Sequence, residues 1–405
     1  MIDYNEIEKL CEKQSGLFKD LVDDFLIYYC SEREKIDKLF ARKLGQFRSV
    51  VQEMPEGWPY SLMSQYVAFR LFRKNGFARQ YVNHPEILSR SDDERALLSF
   101  QIENPWRFVF CSIRSNPARN FFEMVDVLTS EEFLLYSPGL TGSLEENGSM
   151  QMYFYLLGFN GKCWQTYGPH AYFRGIIPSD LLFFARQLDS GVVFMNQIPD
   201  LIDRDPLPWA MLWRSGEVPL TSHRDDMVVM NCSEYHEDEF EPDEYEESFK
   251  IERKYPLYKM SVKRWGSFPH FAACYYHKKK HLLILSAMTD RGYAKLIEVF
   301  NKMGYDLPVN PENRVTIAML HTAEEILDKE IQLNPYENSF SEPLDESRSD
   351  ELEKINKFLR LLMDAHNEGK ELDIDGFASL AGIDSESAHD IAQQAMKTLN
   401  RKPGG

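Results

Sequence analysis

The hydrophobic pattern of this chain changes its period near residue 105, and that change restricts the chain to folds that combine helices with sheets. Before residue 105, apolar residues such as Leu10, Leu17 and Leu21 recur at spacings of four and seven, which places them on one face of a helix. After it, the segments 107–113 and 121–128 alternate and are rich in aromatic and β-branched residues, which is typical of strands. The 405 residues suffice for several domains. We therefore predict a multidomain α+β protein.

Turn signals divide the region after residue 105 into short strands. They lie at 129–132, at 145–148 and at the pair Asn160-Gly161, and an Asn-Gly pair favours a tight type I′ hairpin. Closely spaced strands of this kind predict a small antiparallel β-barrel or curled sheet.

The following region mixes both periods and predicts an α+β sandwich. A polar, Pro-containing stretch near residue 340 has the composition of a linker. Local signals in the sandwich predict buried strands at 209–213, 227–230 and 314–320, a hairpin around the turn 277–280, and a helix over 290–303 that ends at Gly304. The predicted domains are a helical region (1–104), the barrel or curled sheet (105–177), an α+β domain (178–333) with an acidic insert (233–248), a linker (334–350) and a helical, helix-turn-helix-like module (351–405).

The six cysteines are widely scattered and form no C-x-x-C pair. We expect most of them to be small buried hydrophobic residues, in a reducing compartment. The first residues show no basic and apolar signal-peptide pattern, and no stretch approaches the roughly 18 apolar residues of a membrane span. The sequence therefore predicts a cytoplasmic location, no membrane association, no metal and no cofactor.

The net charge of −18 means that the protein should on average repel nucleic acid and anionic membranes. Nine acidic residues crowd into 234–247. Because such a density of like charge is hard to pack, we expect this run to be an exposed loop or a disordered insert.

The sign of the charge reverses immediately after the acidic run, where cations alternate with aromatic residues. Single-stranded nucleic acids bind to surfaces of this composition, since cations follow the phosphates and rings stack on the bases. The alternative, which we favour, is that the rings belong to a core and the lysines protect a sheet edge. A further hypothesis is that the acidic run folds over the basic sheet and competes with an anionic ligand. The candidate anion or nucleic-acid face consists of Lys259, Lys263, Arg264, Trp265, Lys278, Lys279 and Lys280.

A helix-turn-helix spacing lies near the carboxyl end of the chain. Small Ala378 stands where two helices would cross, and Gly382 follows four residues later at the turn. The second helix carries acidic residues where a groove-reading helix needs Arg, Lys or Asn. We therefore favour docking of a partner protein over DNA binding, with Ser385, Glu386, His389 and Gln393 as the candidate docking residues.

The common catalytic motifs are absent from the sequence. His223 and the charged residues after it could supply an acid and a base, but no nucleophile accompanies them. His277 and His281 flank three lysines that would repel a metal ion. The stretch 167–172 combines aromatics with a histidine, and we interpret it as packing.

The segment Asp126-Val127-Leu128-Thr129-Ser130-Glu131-Glu132-Phe133 resembles a "DLLTGEE" hairpin in uncharacterised bacterial proteins that often end in a SEC-C metal motif. The resemblance covers about a fifth of the chain. The terminal Cys and His cluster of that motif is absent here, so the resemblance implies no metal function.

Taken together, these patterns favour a cytoplasmic interaction or regulatory protein that binds another protein and carries out no catalysis. Two alternatives stay open. One is a nucleic-acid-associated protein that uses a basic aromatic face over 250–281, and the other is an enzyme whose site is assembled from scattered residues. The sequence does not indicate an oligomeric state.

Overall fold

A computed structural model of the chain describes residues 2–147, 152–173, 176–217, 228–236, 240–263, 265, 270–307, 309–340, 346–367, 370 and 372–399. The chain divides into two compact units, each built from two segments. Unit 1 contains Met1–Gly216 and Met319–Glu330, and unit 2 contains Glu217–Ala318 and Ile331–Gly405. The predicted multidomain α+β class is confirmed, since one unit holds a closed barrel and the other an open sheet.

Unit 1 consists of a five-stranded closed barrel and the helices that surround it. Its helices before the barrel are α1 (Tyr4–Phe18), a π-helix (Lys19–Leu26), α2 (Ile27–Arg33), α3 (Ile36–Leu44), α4 (Arg48–Val51), α5 (Trp58–Phe72), α6 (Ala78–Tyr81), α7 (Pro85–Leu88) and α8 (Asp92–Glu103). The barrel contains β1 (Arg107–Ala118), β2 (Phe121–Asp126), β3 (Glu132–Tyr136), α9 (Pro138–Asn147), β4 (Met152–Phe159) and β5 (Trp164–Phe173), and is followed by α10 (Pro178–Leu188), α11 (Ile198–Arg204) and α12 (Leu207–Ala210).

The barrel closes because its first strand pairs with two partners. Strand β1 is antiparallel both to β2 and to β4, with Phe110 opposite Phe154 in the second pairing. Four of the five pairings are antiparallel, and a short parallel contact of β3 with β5 completes the ring, with Leu135 opposite Trp164. Closure gives each of the five strands a neighbour on both sides, which limits free sheet edges among the described residues of the barrel.

Apolar side chains fill both faces of the barrel wall. Seven of the eight residues of β4 are buried, which is the pattern of a strand covered on both sides. Inside the barrel lie residues such as Leu135 and Tyr155. Outside it, the ring of Phe110 contacts Trp209 of α12 at 5.8 Å, and Phe108 contacts Phe69 of α5 at 5.1 Å. The helices therefore form the outer layer of one continuous hydrophobic core.

A second segment of the chain completes unit 1. Most of helix α14, which spans Ile317–Leu327, belongs to it. Its Glu325 accepts a hydrogen bond of 3.0 Å from Nε of Arg214, a side chain that is only 13% exposed. The same guanidinium contacts Glu53 at 2.8 Å. A largely buried cation is thus paired with carboxylates from two distant segments of the sequence.

The hairpin between β4 and β5 is organised by one amide side chain. Asn160 is 6% exposed, and its Oδ1 accepts hydrogen bonds from the backbone N–H groups of Lys162 at 2.9 Å and Cys163 at 2.8 Å. Its Nδ2 donates to Gln165 at 3.0 Å and to the thiol of Cys11 at 3.1 Å. Helix α1 is thereby held against the barrel.

Unit 2 contains a sheet and a helix formed by β6 (Val228–His236), β7 (Phe249–Lys254), β8 (Leu257–Val262), β9 (Ala272–His277), β10 (Leu282–Ala287), α13 (Asp290–Lys302) and β11 (Asn313–Thr316). The six strands are antiparallel, in the order β11-β6-β10-β9-β8-β7. Helix α13 packs on one face, over a core that includes Cys274, Leu285 and Phe300. On the other face, Tyr336 and the side chain of Phe340 pack in a smaller cluster.

Three helices form the C-terminal module of unit 2: α15 (Glu346–Asn367), α16 (Ile374–Ala381) and α17 (Ser385–Leu399). Alanines dominate the core of the module, and Ala378 at the predicted crossing is 2% exposed. Small side chains of this kind let the helix axes approach closely. Gly382 ends α16 in the left-handed region, with φ of 76°, so the predicted helix-turn-helix-like geometry is present.

One predicted strand and one predicted turn are helical in the structure. Residues 209–213 form the end of α12 and a 3₁₀ helix instead of a buried strand; a short apolar run fits either state, and Pro208 in the first turn favours the helix. Residues 145–147 end helix α9 instead of forming a turn, because Ser137 caps that helix by accepting from the N–H of Leu140 at 3.3 Å.

Two further predictions need correction in detail. The strand predicted over 314–320 ends at Thr316, and helix α14 begins at the next residue. The Asn160-Gly161 hairpin is present, but four residues connect Phe159 to its partner Trp164. Only Gly161 of that pair has a positive φ, 92°, so the turn is not type I′, which needs two such residues.

We predict that Asn160→Ala lowers the free energy of unfolding by about 2–4 kcal/mol, because the backbone N–H groups of Lys162 and Cys163, the second of them buried, lose their acceptor. Urea unfolding followed by circular dichroism measures the change. The neighbouring Lys162→Ala, which truncates an exposed side chain, serves as the control and should change the free energy by no more than about 0.5 kcal/mol. Equal effects of the two substitutions would contradict the role assigned to Asn160.

Candidate functional site

The residues of the predicted anion face do not share one surface in unit 2. Met260 and Val262 of β8 pack in the core under α13, so Lys259, one residue before Met260, points to the opposite face of the sheet. Lys278 to Lys280 lie in the turn between β9 and β10. Trp265 packs against the core on the α13 side, where Arg291 lies 5.4 Å from its ring. Arg264 lies outside the described residues.

The rings that follow the acidic run are mostly packed. Tyr275 and Tyr276 are 3% and 1% exposed, so no base can stack on them in this conformation. Tyr255 is 70% exposed and lies 5.5 Å from the ammonium group of Lys279. Lys280 lies 5.9 Å from the ring of Tyr336. The lysines of the turn thus cover aromatic rings at one end of the central strands β9 and β10, and not at an edge of the sheet.

Part of the acidic run folds against these cations. Its carboxylates are exposed as expected, but Phe240 is 1% exposed and packs against Tyr276 and Phe300. The segment 240–248, which we call the acidic segment, is therefore anchored and not disordered. Earlier in the run, Glu234 belongs to strand β6, and residues 237–239 lie outside the described residues.

Two cations pair with carboxylates of the acidic segment. The ammonium group of Lys278 donates to Glu241 at 2.8 Å, and Arg253 donates to Asp243 at 2.7 Å. Lys263 donates to the backbone carbonyl of Glu246. The hydrogen bond with Glu241 raises the pKa of Lys278, and the pair with Asp243 raises the pKa of Arg253. Exposed pairs of this kind contribute little stability. They do neutralise the positive charge of Lys278 and Arg253, to which a polyanion would otherwise bind.

The candidate docking residues of the C-terminal module lie together around the turn of its helix pair. Asp375 of α16 accepts hydrogen bonds from the hydroxyl of Ser385 and from His389 at 3.3 Å. These bonds hold the pKa of Asp375 below its usual value, with the Ser385 bond as the larger cause. Glu386 and Gln393 are exposed on α17. Glu386, His389 and Gln393 recur at helical spacing and therefore share one exposed face of α17.

Unit 1 contains a pocket that the sequence analysis missed. It has a volume of about 640 Å³ and lies between the π-helix, α2, α5 and strand β5. We call it the tyrosine pocket. Its lining residues are Asp23, Ile27, Tyr28, Tyr60, Ser61, Ser64, Thr166, Tyr167, Gly168 and Pro169. The stretch 167–172, interpreted from the sequence as packing, thus supplies part of a pocket wall, although the side chain of His170 lies outside the described residues.

Two departures from regular secondary structure face each other across the tyrosine pocket. Asp23 lies in the π-helix, a form that is rare and often marks functional sites. Opposite it, the register of β5 shifts between Ala171 and Tyr167, which leaves a bulge. Gly168 in this bulge has φ of 80°, and a Cβ there would lie 2.8 Å from carbons of Gln65. The bulge therefore requires glycine.

Asp23 and Tyr167 connect the two sides of the pocket. The phenol of Tyr167 donates a hydrogen bond to Oδ1 of Asp23. Burial raises the pKa of Asp23 above its usual value, and the Tyr167 bond partly offsets that shift. Gln65 of α5 holds strand β5 in place, because its Nε2 donates to the carbonyl of Tyr167 at 2.8 Å. The sequence signal for this site was weak, since its lining comes from three separate segments.

Histidines do not assemble a metal site in the part of the chain that the structure describes, where no group of three or more metal-ligating side chains occurs. His277 instead supports the turn by accepting from the N–H of Lys280 at 3.2 Å. His223 and the charged residues that follow it lie outside the described residues.

Comparison of the chain with protein-family models, with curated proteins and with solved structures found no match in any of the three. The resemblance of the 126–133 hairpin therefore stays a prediction. Among the helices that the structure describes, none is long and apolar enough to cross a membrane.

The ion pairs of the acidic segment predict that it weakens binding of polyanions. The variant Asp243→Asn/Glu246→Gln removes both carboxylates that contact Arg253. We expect tighter binding of a single-stranded RNA oligomer, with a salt dependence steeper by roughly 0.7 in log–log slope for the one freed cation. Fluorescence anisotropy at several salt concentrations measures both quantities.

The matched control is Glu244→Gln/Glu247→Gln, which removes the same charge from exposed positions of the same segment. It should leave the slope close to that of the wild type. Equal slopes for the two double variants would show that only the net charge matters and that the pairs mask nothing.

Proposed function

We propose that this protein is a non-catalytic interaction protein that binds a partner protein through the acidic face of its C-terminal module. The observation that carries the proposal is the charge of this face. Residues 373–390 contain five Asp or Glu side chains and no Lys or Arg. A partner with a basic surface would complement this charge.

The geometry of the module supports a preformed binding surface. Asp384 caps helix α17 by accepting from the N–H of Ser387 at 2.9 Å, and this bond lowers the pKa of Asp384. Asp375 is ionised in the same way through Ser385. Both carboxylates therefore stay charged well below neutral pH.

The same charge opposes the DNA-binding use of a helix-turn-helix. A helix in the major groove lies between two rows of phosphates and contacts them through Arg, Lys or polar groups. Helix α17 would instead bring Glu386 and Asp390 toward the phosphates. Repulsion between these groups supports protein docking as the function of the module.

The basic face of the sheet supports a nucleic-acid function less well. Its cations are divided between two faces and the turn of the sheet, and Lys278 already pairs with Glu241. We therefore place partner-protein binding first. The expectation that the chain carries out no catalysis stays a prediction, as does its cytoplasmic location.

Charge reversal on the full-length chain tests the proposal. Wild-type protein and the variant Glu386→Lys/Asp390→Lys are used to capture proteins from a lysate of the source cells, and captured proteins are quantified by mass spectrometry. We expect a partner with a basic surface that the variant captures at least about tenfold less, and whose binding weakens with salt.

The control Glu32→Lys/Glu56→Lys reverses two exposed charges in unit 1 and should capture the partner as the wild type does. Identical capture by all three proteins would overturn the proposal. A salt-sensitive shift of duplex DNA by the wild type would overturn it as well, in favour of DNA binding.

A further inference from the structure

The tyrosine pocket of unit 1 has the charge of a cation site. Asp23 is the formally charged residue among the described residues that line it, and no Lys, Arg or His stands beside it in that lining. Asp24 lies next to it in sequence but is not among the residues that line the pocket. An anionic ligand would be repelled here.

The hydroxyl groups of the pocket are largely committed to one another. The phenols of Tyr28 and Tyr60 lie 3.2 Å apart and form a hydrogen bond. The phenol of Tyr167 donates its hydrogen bond to Asp23. A ligand therefore meets acceptors, namely carboxylate and hydroxyl oxygens, more readily than donors. That pattern suits a ligand that only donates or only carries positive charge.

Three aromatic rings in one lining add a second attraction for cations. The face of a tyrosine ring is electrostatically negative, and recognition of ammonium groups by clustered aromatic side chains is a common use of this property. Tyr28 and Tyr60 are 61% and 57% exposed, so both can be reached from solvent. The volume of about 640 Å³ is within the range of pockets for small organic ligands.

Asp23 is exposed, so a charged ligand can reach its carboxylate from solvent. Its pKa is raised because neighbouring protein atoms displace part of its hydration. A positive group within contact distance would favour the ionised form, as an opposite charge does for any carboxylate. The titratable groups facing Asp23 are Tyr167 across the pocket and Asp24 on its own helix.

We propose that the tyrosine pocket binds an organic ammonium ion, a primary or methylated amine on a short aliphatic stem. Asp23 supplies the opposite charge, and the rings of Tyr28, Tyr60 and Tyr167 contact the alkyl or methyl groups. The site lies in a different unit from the proposed docking face, and it does not depend on that proposal.

Isothermal titration of the full-length protein tests this assignment. The probes are choline, propylammonium and 3,3-dimethylbutan-1-ol, the last being a neutral molecule with the shape of choline. We expect saturable binding of at least one of the two cations with a Kd of about 1 mM or tighter, and at least tenfold weaker binding of the neutral alcohol.

Two carboxylate variants separate a specific contact from general charge. Asp23→Asn should weaken the cation at least about tenfold, whereas Asp24→Asn, a matched change at the neighbouring exposed residue, should weaken it by less than about threefold. Tyr60→Leu removes one exposed ring and should weaken binding by about threefold to tenfold. Circular dichroism checks the fold of each variant, and the comparison of choline with its neutral analogue needs no variant at all.

Three results would overturn the assignment. The first is equal binding of the cation and the neutral alcohol. The second is equal loss of affinity in the Asp23 and Asp24 variants. The third is the absence of saturation by either cation up to about 20 mM, which is far weaker than a charge-assisted aromatic site should give.

Discussion

The pairing of β1 with β4 is the constraint on which the rest of unit 1 depends. It closes the sheet into a barrel, and a closed sheet has inner and outer faces that must both be filled. The outer face carries aromatic side chains such as Phe110, so helices have to cover it. Close approach is then enforced locally, since a Cβ at Gly158 of β4 would lie 2.9 Å from the ring of Trp106. The tyrosine pocket occupies a place where this helical cover meets an irregular strand.

Features that depend on a few neighbouring residues were predictable from the sequence. The capping box of α8 is a local pattern of this kind, with Ser91 accepting from the N–H of Glu94 at 3.3 Å. Helix α13 ends before Gly304, whose φ is 92°. The hairpin at 278–280, where His277 accepts from the N–H of Lys280, and the turn at Gly382 are also determined by residues close in sequence. In each case a capping group or a glycine determines the backbone within one turn, so no distant contact is needed.

Features that depend on distant contacts were not predictable. The apolar run 209–213 carries no period that separates a strand from a helix, and its packing beneath the barrel decides the outcome. The acidic run contains enough charge to suggest disorder, yet the ring of Phe240 anchors it by packing against four other aromatic rings. Three of these rings, Tyr276, Phe300 and Tyr305, are distant in the sequence, and the fourth is Tyr245. The tyrosine pocket draws on residues near 25, 60 and 167. Only the closed barrel brings these segments together.

The pairing of Arg214 with Glu325 has a consequence for synthesis of the chain. Unit 1 is interrupted after Gly216 and resumes at Met319, so a ribosome releases the first 216 residues long before the helix that carries Glu325. Until then the guanidinium has Glu53 as its carboxylate. Domains fold as they emerge. The barrel and its first helices therefore lack helix α14 while the strands of unit 2 are synthesised. Unit 1 is finished from its carboxyl side, and its order of assembly differs from its order along the chain.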